Sequence, residues 1–188
     1  LLLLPAVAGA VAEEKTGVSY PDTITVEVGD AEVTLKATGV ALREKTFLKV
    51  DVYTICSWVD ASLDPGDEPA RAVMEADLPK RLQMDLRRGF SRDKLVNAFV
   101  ESIEKNYEDT SPFAADMDTF LAYFDRDARE GDRIVFDYAP GVGLTTELNG
   151  EVKGVIKNPA FAQALWSAWF GRKPVNGDMK KDLVSAVD

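Results

Sequence analysis

Alternation of polar and apolar residues restricts the folds open to this chain more than any other pattern. It is densest from Gly39 to Ile55, GVALREKTFLKVDVYTI. Two runs pass through that stretch, Val40 to Lys45 and Phe47 to Trp58. A period of two sends successive side chains to opposite faces of a sheet, so a pair of strands is predicted. In the second run Leu48, Val50, Val52, Thr54, Cys56 and Trp58 share one face. The other face carries Phe47, Lys49, Asp51, Tyr53 and Ile55. Arg43 stands just upstream, between Leu42 and Glu44. A permanently charged, fork-shaped donor beside a face bearing Asp51 and Tyr53 could hold an anion or an oxygen-rich ligand. It could equally mark a solvated sheet edge, with Arg43 paired to Glu44 or Asp51.

The remaining elements follow from turn and helix signals. Thr23 to Val28 and Glu32 to Ala37 alternate around Gly29-Asp30, which predicts a hairpin. Asp60 to Pro69 has loop composition, and Ala72 to Leu78 and Leu82 to Arg88 alternate again around Pro79. Ser91 is placed to cap a helix whose stripe is Leu95, Phe99 and Ile103, with Val96 and Val100 beside it. A second helix is predicted from Pro112 to Phe124. Strands at Arg133 to Tyr138, Leu144 to Leu148 and Val152 to Ile156 surround Pro140-Gly141 and the strong hairpin signal Asn149-Gly150. Asn158-Pro159 opens a helix lined by Phe161, Leu165 and Trp169, and Gly171 is placed to end it. A last helix of about ten residues is expected through Met179, Leu183, Val184 and Val187. Strands that run together, with helices grouped after them, predict an α+β fold.

Composition removes several kinds of chemistry. The 188 residues, 46% hydrophobic and 29% charged, suit one domain with a sizeable core. A formal charge of -10 without a Lys/Arg stripe disfavours nucleic acid and anionic lipid surfaces. Histidine is absent, which excludes Ser-His-Asp and Cys-His catalysis and histidine metal sites. No metal site and no cofactor are expected. Cys56 is the single cysteine and reads as a small core residue. Leu1 to Ala12, LLLLPAVAGAVA, reads as the apolar part of a secretory signal with a cut after Ala12. It is too short to span a bilayer, which takes ~20 residues. The expectation is an exported, periplasmic or secreted protein with its domain at residues 13–188 and no membrane span in that part.

The segments GVALREKTFLKVDVY, GFSRDKLVNAF and NGEVKGVIKNPAFAQALWSAWFGRKPV together resemble the chalcone isomerase family, and its exported bacterial branch in particular. The resemblance covers about Gly39 to Val187. It implies an open-faced β-sandwich, a large antiparallel sheet with helices layered on it. It also implies site residues. Arg43 matches the enzymes' arginine, and Asp51 falls where they carry a cleft threonine. Phe90, Ser91 and Asn97 match a Tyr-Ser motif followed by an asparagine, with the tyrosine hydroxyl lost at Phe90. Ala162 replaces a serine or threonine early in the late helix. In the family's non-enzymatic fatty-acid-binding relatives a tyrosine on the next strand partners the arginine, and Tyr53 falls there.

The implied reaction closes a ring by adding a phenolate oxygen to a conjugated double bond, with an enolate stabilised as it develops. An arginine can hold the anion and stabilise that charge, with Asn97 assisting. Phe90 and Ala162 supply none of the hydroxyls, and losing one oriented donor typically costs roughly 10²-fold in rate. The leading expectation is therefore a protein that binds a small amphipathic anion, a fatty acid or phenolic carboxylate, in a cleft headed by Arg43 and Tyr53. An intramolecular lyase acting on a chalcone-like enone is the alternative. A partner-binding protein with a vestigial, side-chain-filled cleft is a second.

Overall fold

The computed structural model describes residues 9–45 and 50–187. Leu1 to Ala8 of the expected leader, and Phe47, Leu48 and Lys49 of the second alternating run, lie outside the described residues. Ala10–Ala12 (β1) pairs antiparallel with Ser19–Pro21 (β2) as a small sheet of its own. Thr23–Val28 (β3) turns at Gly29-Asp30 into Ala31–Lys45 (β4), with Gly29 at φ 62 supplying the left-handed turn residue. The alternating runs at Glu32 to Ala37 and Val40 to Lys45 are thus halves of one long strand, joined at a bulge between Ala37 and Gly39. Val50–Asp60 (β5) runs back alongside it.

Alternation from Ala72 to Leu78 predicts a strand, and there the structure corrects the expectation. Pro69–Glu75 (α1) is a helix. Pro69 occupies its first turn, where a missing N–H costs nothing, and Arg71 pairs with Glu75 one turn on. Alternation over so few residues, most of them good helix formers, does not separate the two periods.

Lys80–Leu86 (β6), Arg92–Glu104 (α2) and Ala114–Ala122 (α3, entered through a 3-10 turn at Ser111–Phe113) follow as expected. Ser91 stands at the cap position of α2 without a side-chain cap bond, and Asp127 Oδ1 accepts from the Arg92 N–H instead, at 2.8 Å. Arg133–Ala139 (β7), Gly143–Leu148 (β8) and Glu151–Ile156 (β9) form the meander that Asn149-Gly150 predicts, both turn residues having positive φ. In Pro159–Phe170 (α4) the Asn158 side chain accepts from the Ala160 N–H at 3.0 Å. The last helix, Gly177–Asp182 (α5), is shorter than expected. Just past its end the chain docks on Thr38 in the β4 bulge, whose hydroxyl donates to the Leu183 carbonyl and whose own carbonyl accepts from the Ala186 N–H. Gly39 lets this docking happen, since a Cβ there would run into the Asp182 and Leu183 backbone.

β3 to β9 make one seven-stranded antiparallel sheet in sequence order, an α+β fold. The sheet curls. Val26 and Val28 of β3 line one crevice with Tyr138 and Thr145, although β4, β5 and β6 lie between them. Its inner face packs Ile55, Leu82 and Phe136 against Phe99, Phe120 and Leu165 from the helices. Phe120 meets Phe99, Phe124, Phe136 and Phe161 at ring centroids of 5.2 to 5.8 Å, in the edge and tilted geometries aromatic rings prefer. On the outer face Leu35, Cys56 and Trp58 pack beneath Tyr20 of β2. No helix among the described residues is long and apolar enough to cross a membrane.

Asp132 ties the loop before β7 to the β8–β9 turn. Arg126 donates to both its oxygens at 2.9 and 3.1 Å, joined by the Arg129 N–H and the Asn149 amide, each at 2.8 Å. The Arg126 bonds, outweighing the opposing effect of burial, hold its carboxyl at about 2 instead of 3.8. A depressed carboxylate pKa contributes stability above the unfolded value and loses it as pH falls through the folded one. Asp132→Asn is therefore expected to destabilise the protein by about 2 kcal/mol at pH 7. Denaturant titrations should show the two proteins converging between about pH 4 and pH 2; a gap that persists at pH 2 would assign the loss to packing.

Candidate functional site

Arg43 on β4 and Tyr53 on β5 are register partners. The next described pair is Glu44 opposite Asp51, which leaves Val52 without a partner on β4. This one-residue bulge disturbs the alternation that the sequence suggests. Val52 joins Tyr53 in the wall of a cavity instead of pointing away from it. Asp51 falls with Glu44 outside that wall, near Lys15. The Lys15 ammonium is held above the usual lysine range, first by its hydrogen bond to Glu44 and further by Glu13 and Asp51. Glu44 is thus committed to Lys15, and among the described residues Arg43 makes no ion pair. One Arg43 nitrogen donates to the Glu44 carbonyl at 3.2 Å.

The cavity encloses about 330 Å³, enough for a small ligand. Its head carries Arg43 and Tyr53, and Met84, Leu86, Leu95 and Phe99 give it an apolar body. Phe90 lies in the wall close to the start of α2. Along α2, Lys94, Ala98, Glu101 and Lys105 face it, a stripe at helical spacing that runs ~16 Å from first to last. The space beside Arg43 is open and not filled by side chains. Tyr53 is only 8% exposed, and its hydroxyl oxygen accepts from Trp169 Nε1 at 3.0 Å. Burial pushes the Tyr53 phenol up to about 12, against the opposing pull of the Trp169 bond and the Arg43 charge.

A sequence model of the chalcone isomerase-like family matches residues 12–185. The chain belongs to that family. The solved structure of a fatty-acid binding protein of Arabidopsis thaliana superposes with a TM-score of 0.73 at 23% identity, covering 96% of this chain and 100% of that one. At that identity the likeness establishes a shared fold. A search of curated protein sequences gave no match.

Of the positions that the family resemblance brings forward, Arg43, Tyr53 and Phe90 share the cavity, and Asp51, Asn97 and Ala162 stand outside it. Asn97 is exposed on α2, and its neighbour Ala98 faces the cavity instead, because one residue turns a helix by about 100°. Ala162, 1% exposed, lines a separate cleft with Asp77, Lys80 and Tyr138. Seven residues separate it from Trp169, so the two sit ~10 Å apart along α4. Trp169 itself was legible only as part of a helical core stripe. Its role at the head of the cavity depends on a strand more than a hundred residues away.

Lys80 gave no signal in the sequence. It is 3% exposed, and its amine donates to the Val73, Met74 and Ala76 carbonyls at 3.1, 2.8 and 2.9 Å, satisfying the end of α1. It also lies over the Trp166 and Tyr138 rings at 5.2 and 5.4 Å from their centroids. Burial lowers its pKa to about 7, with nearby Asp77 acting in the opposite direction. Asp77 is itself held by the Tyr138 hydroxyl, which donates at 2.6 Å. Among the described residues no cluster of acidic or cysteine side chains is suited to a metal ion.

Proposed function

We propose that this protein binds a small amphipathic anion, such as a fatty acid or a phenolic carboxylate, and holds it without efficient chalcone cyclisation. The observation that carries the reading is the pairing of Arg43 with Tyr53 in a cavity whose body is formed by Met84, Leu86, Leu95 and Phe99. A guanidinium can grip a carboxylate with two parallel bonds, and the apolar walls take the ligand's body out of water. Phe90 stands where the resemblance places a tyrosine hydroxyl, which favours holding a ligand over turning it over. The fatty-acid binding of the Arabidopsis protein, named for that activity, is consistent with the same use of the fold.

Thermal melting with fatty and aromatic acids tests this. A ligand at 100 times its Kd adds about 2.7 kcal/mol, a rise of roughly 5–10 °C for a chain of this size. Melting that stays unchanged under saturating acids would remove the support for binding. The lyase reading keeps one point in its favour, because two donors at the cavity head would also stabilise an enolate. Loss of chalcone absorbance above the spontaneous rate, abolished by Arg43→Ala, would establish it. No turnover across a panel of enones would end it.

Export remains part of the reading, motivated by the apolar run that ends at Ala12. A cut after Ala12 would remove β1, the partner of β2. The intact mass of protein recovered from a periplasmic or culture fraction decides the matter: a species starting at Glu13 is expected, and retention of the whole chain in the cytoplasm would refute it.

A further inference from the structure

The hydrogen bond between Trp169 and Tyr53 has a direction, and the direction has a chemical consequence. An indole nitrogen can only donate. The Tyr53 oxygen therefore accepts, at 3.0 Å, and its own proton must point elsewhere. Among the described residues that bond is the only one the hydroxyl makes. Tyr53 is 8% exposed and forms part of the cavity wall, so the open direction for the proton is into the cavity. Beside it stands Arg43, which also donates only. Without Trp169 the hydroxyl could rotate and present a lone pair to a ligand that donates.

We infer that Trp169 is a positioning residue that fixes Tyr53 as a donor, so the cavity head selects head groups that only accept hydrogen bonds, carboxylates above all, over alcohols of the same chain length. The inference rests on the binding reading above and names what that site discriminates. Its physical basis is an asymmetry. A carboxylate satisfies both donors, whereas an alcohol brings a proton that neither Arg43 nor a Tyr53 already held by Trp169 is set to accept.

The test compares decanoate and decanol binding to the full chain by calorimetry, in the wild type, Trp169→Phe and Tyr53→Phe. The ratio of the two affinities is the readout, because a loosened cavity would weaken both ligands together and leave the ratio in place. The wild type is expected to prefer decanoate, and Trp169→Phe to shift the ratio towards decanol by about tenfold. A ratio unchanged in a folded Trp169→Phe protein that still binds decanoate would overturn the role of Trp169 and leave the binding reading standing. No binding of either ligand by the wild type would overturn both. If Trp169→Phe does not fold, Tyr53→Phe carries the test. Removing an obligate donor must lower the preference for decanoate, and a ratio that stays level or rises overturns the inference.

Discussion

Replacing Arg43 with alanine is expected to weaken binding of a fatty carboxylate by ten- to a hundredfold while leaving the melting temperature of the free protein almost unchanged. A hydrogen bond to a charged group is worth about 1.5–3 kcal/mol, and the carboxylate would lose the guanidinium that stands beside Tyr53. Stability should change little, because Arg43 is half-buried, bonds only the Glu44 carbonyl, and among the described residues completes no ion pair. Arg43→Lys should recover part of the affinity. An ammonium restores the charge but cannot match the two-pronged geometry. Calorimetric titration of the three proteins with one acid measures this, and equal affinities would place the anion somewhere other than Arg43.

The second large effect concerns stability. Lys80→Met is expected to cost about 2–4 kcal/mol, a fall of roughly 5–15 °C in melting temperature. Methionine fills the volume but leaves the carbonyls of Val73, Met74 and Ala76 without their donor at the end of α1. The loss should also depend on pH. Burial lowers the Lys80 amine to about 7 in the folded protein, while an unfolded lysine titrates near 10.4. Between those values the unfolded chain binds the extra proton, so wild-type stability rises with pH across that window. Lys80→Met has no such group. The gap between the two proteins should therefore widen from about pH 7 to about pH 10 and stay level below pH 7. Denaturant unfolding at several pH values measures it, and a gap independent of pH would mean that Lys80 stays charged throughout.

Much of the fold could be read from local pattern. Asn149-Gly150, Asn158-Pro159 and the alternation that marks β3, β4 and β5 as strands act over a few residues, and the structure has the turn, the helix start and the strands there. What was missed acts over longer distances or against the local period. Asp51 falls on Tyr53's face only if β5 alternates evenly, and no composition rule announces the extra residue at Val52. Asn97 and Ala98 differ by one step of a helix whose rotation the sequence leaves loose by about that much. Lys80 falls between two alternating runs and carries no signal until α1, whose alternation suggested a strand, turns out to end over it. The pairing of Trp169 with Tyr53 is set by how α4 lies across the sheet. Arg43 was legible as unusual because a fork-shaped cation on a strand stands beside a face bearing Asp51 and Tyr53, yet Glu44 is drawn away from it by Lys15, which reaches over from the β1–β2 hairpin.

The bulge at Val52 also bears on how such a site could change by descent. With Val52 unmatched, Glu44 and Asp51 sit opposite each other and away from the cavity. One codon inserted after Arg43 would give Val52 a partner, restore even pairing, and bring Glu44 and Asp51 round to the side of Arg43 and Tyr53. Two carboxylates would then neutralise the arginine and repel an anion, with no residue of the present site replaced. A single-residue insertion or deletion could thus change the charge around Arg43 and Tyr53. A comparison that counts only substitutions at Arg43 and Tyr53 would miss it.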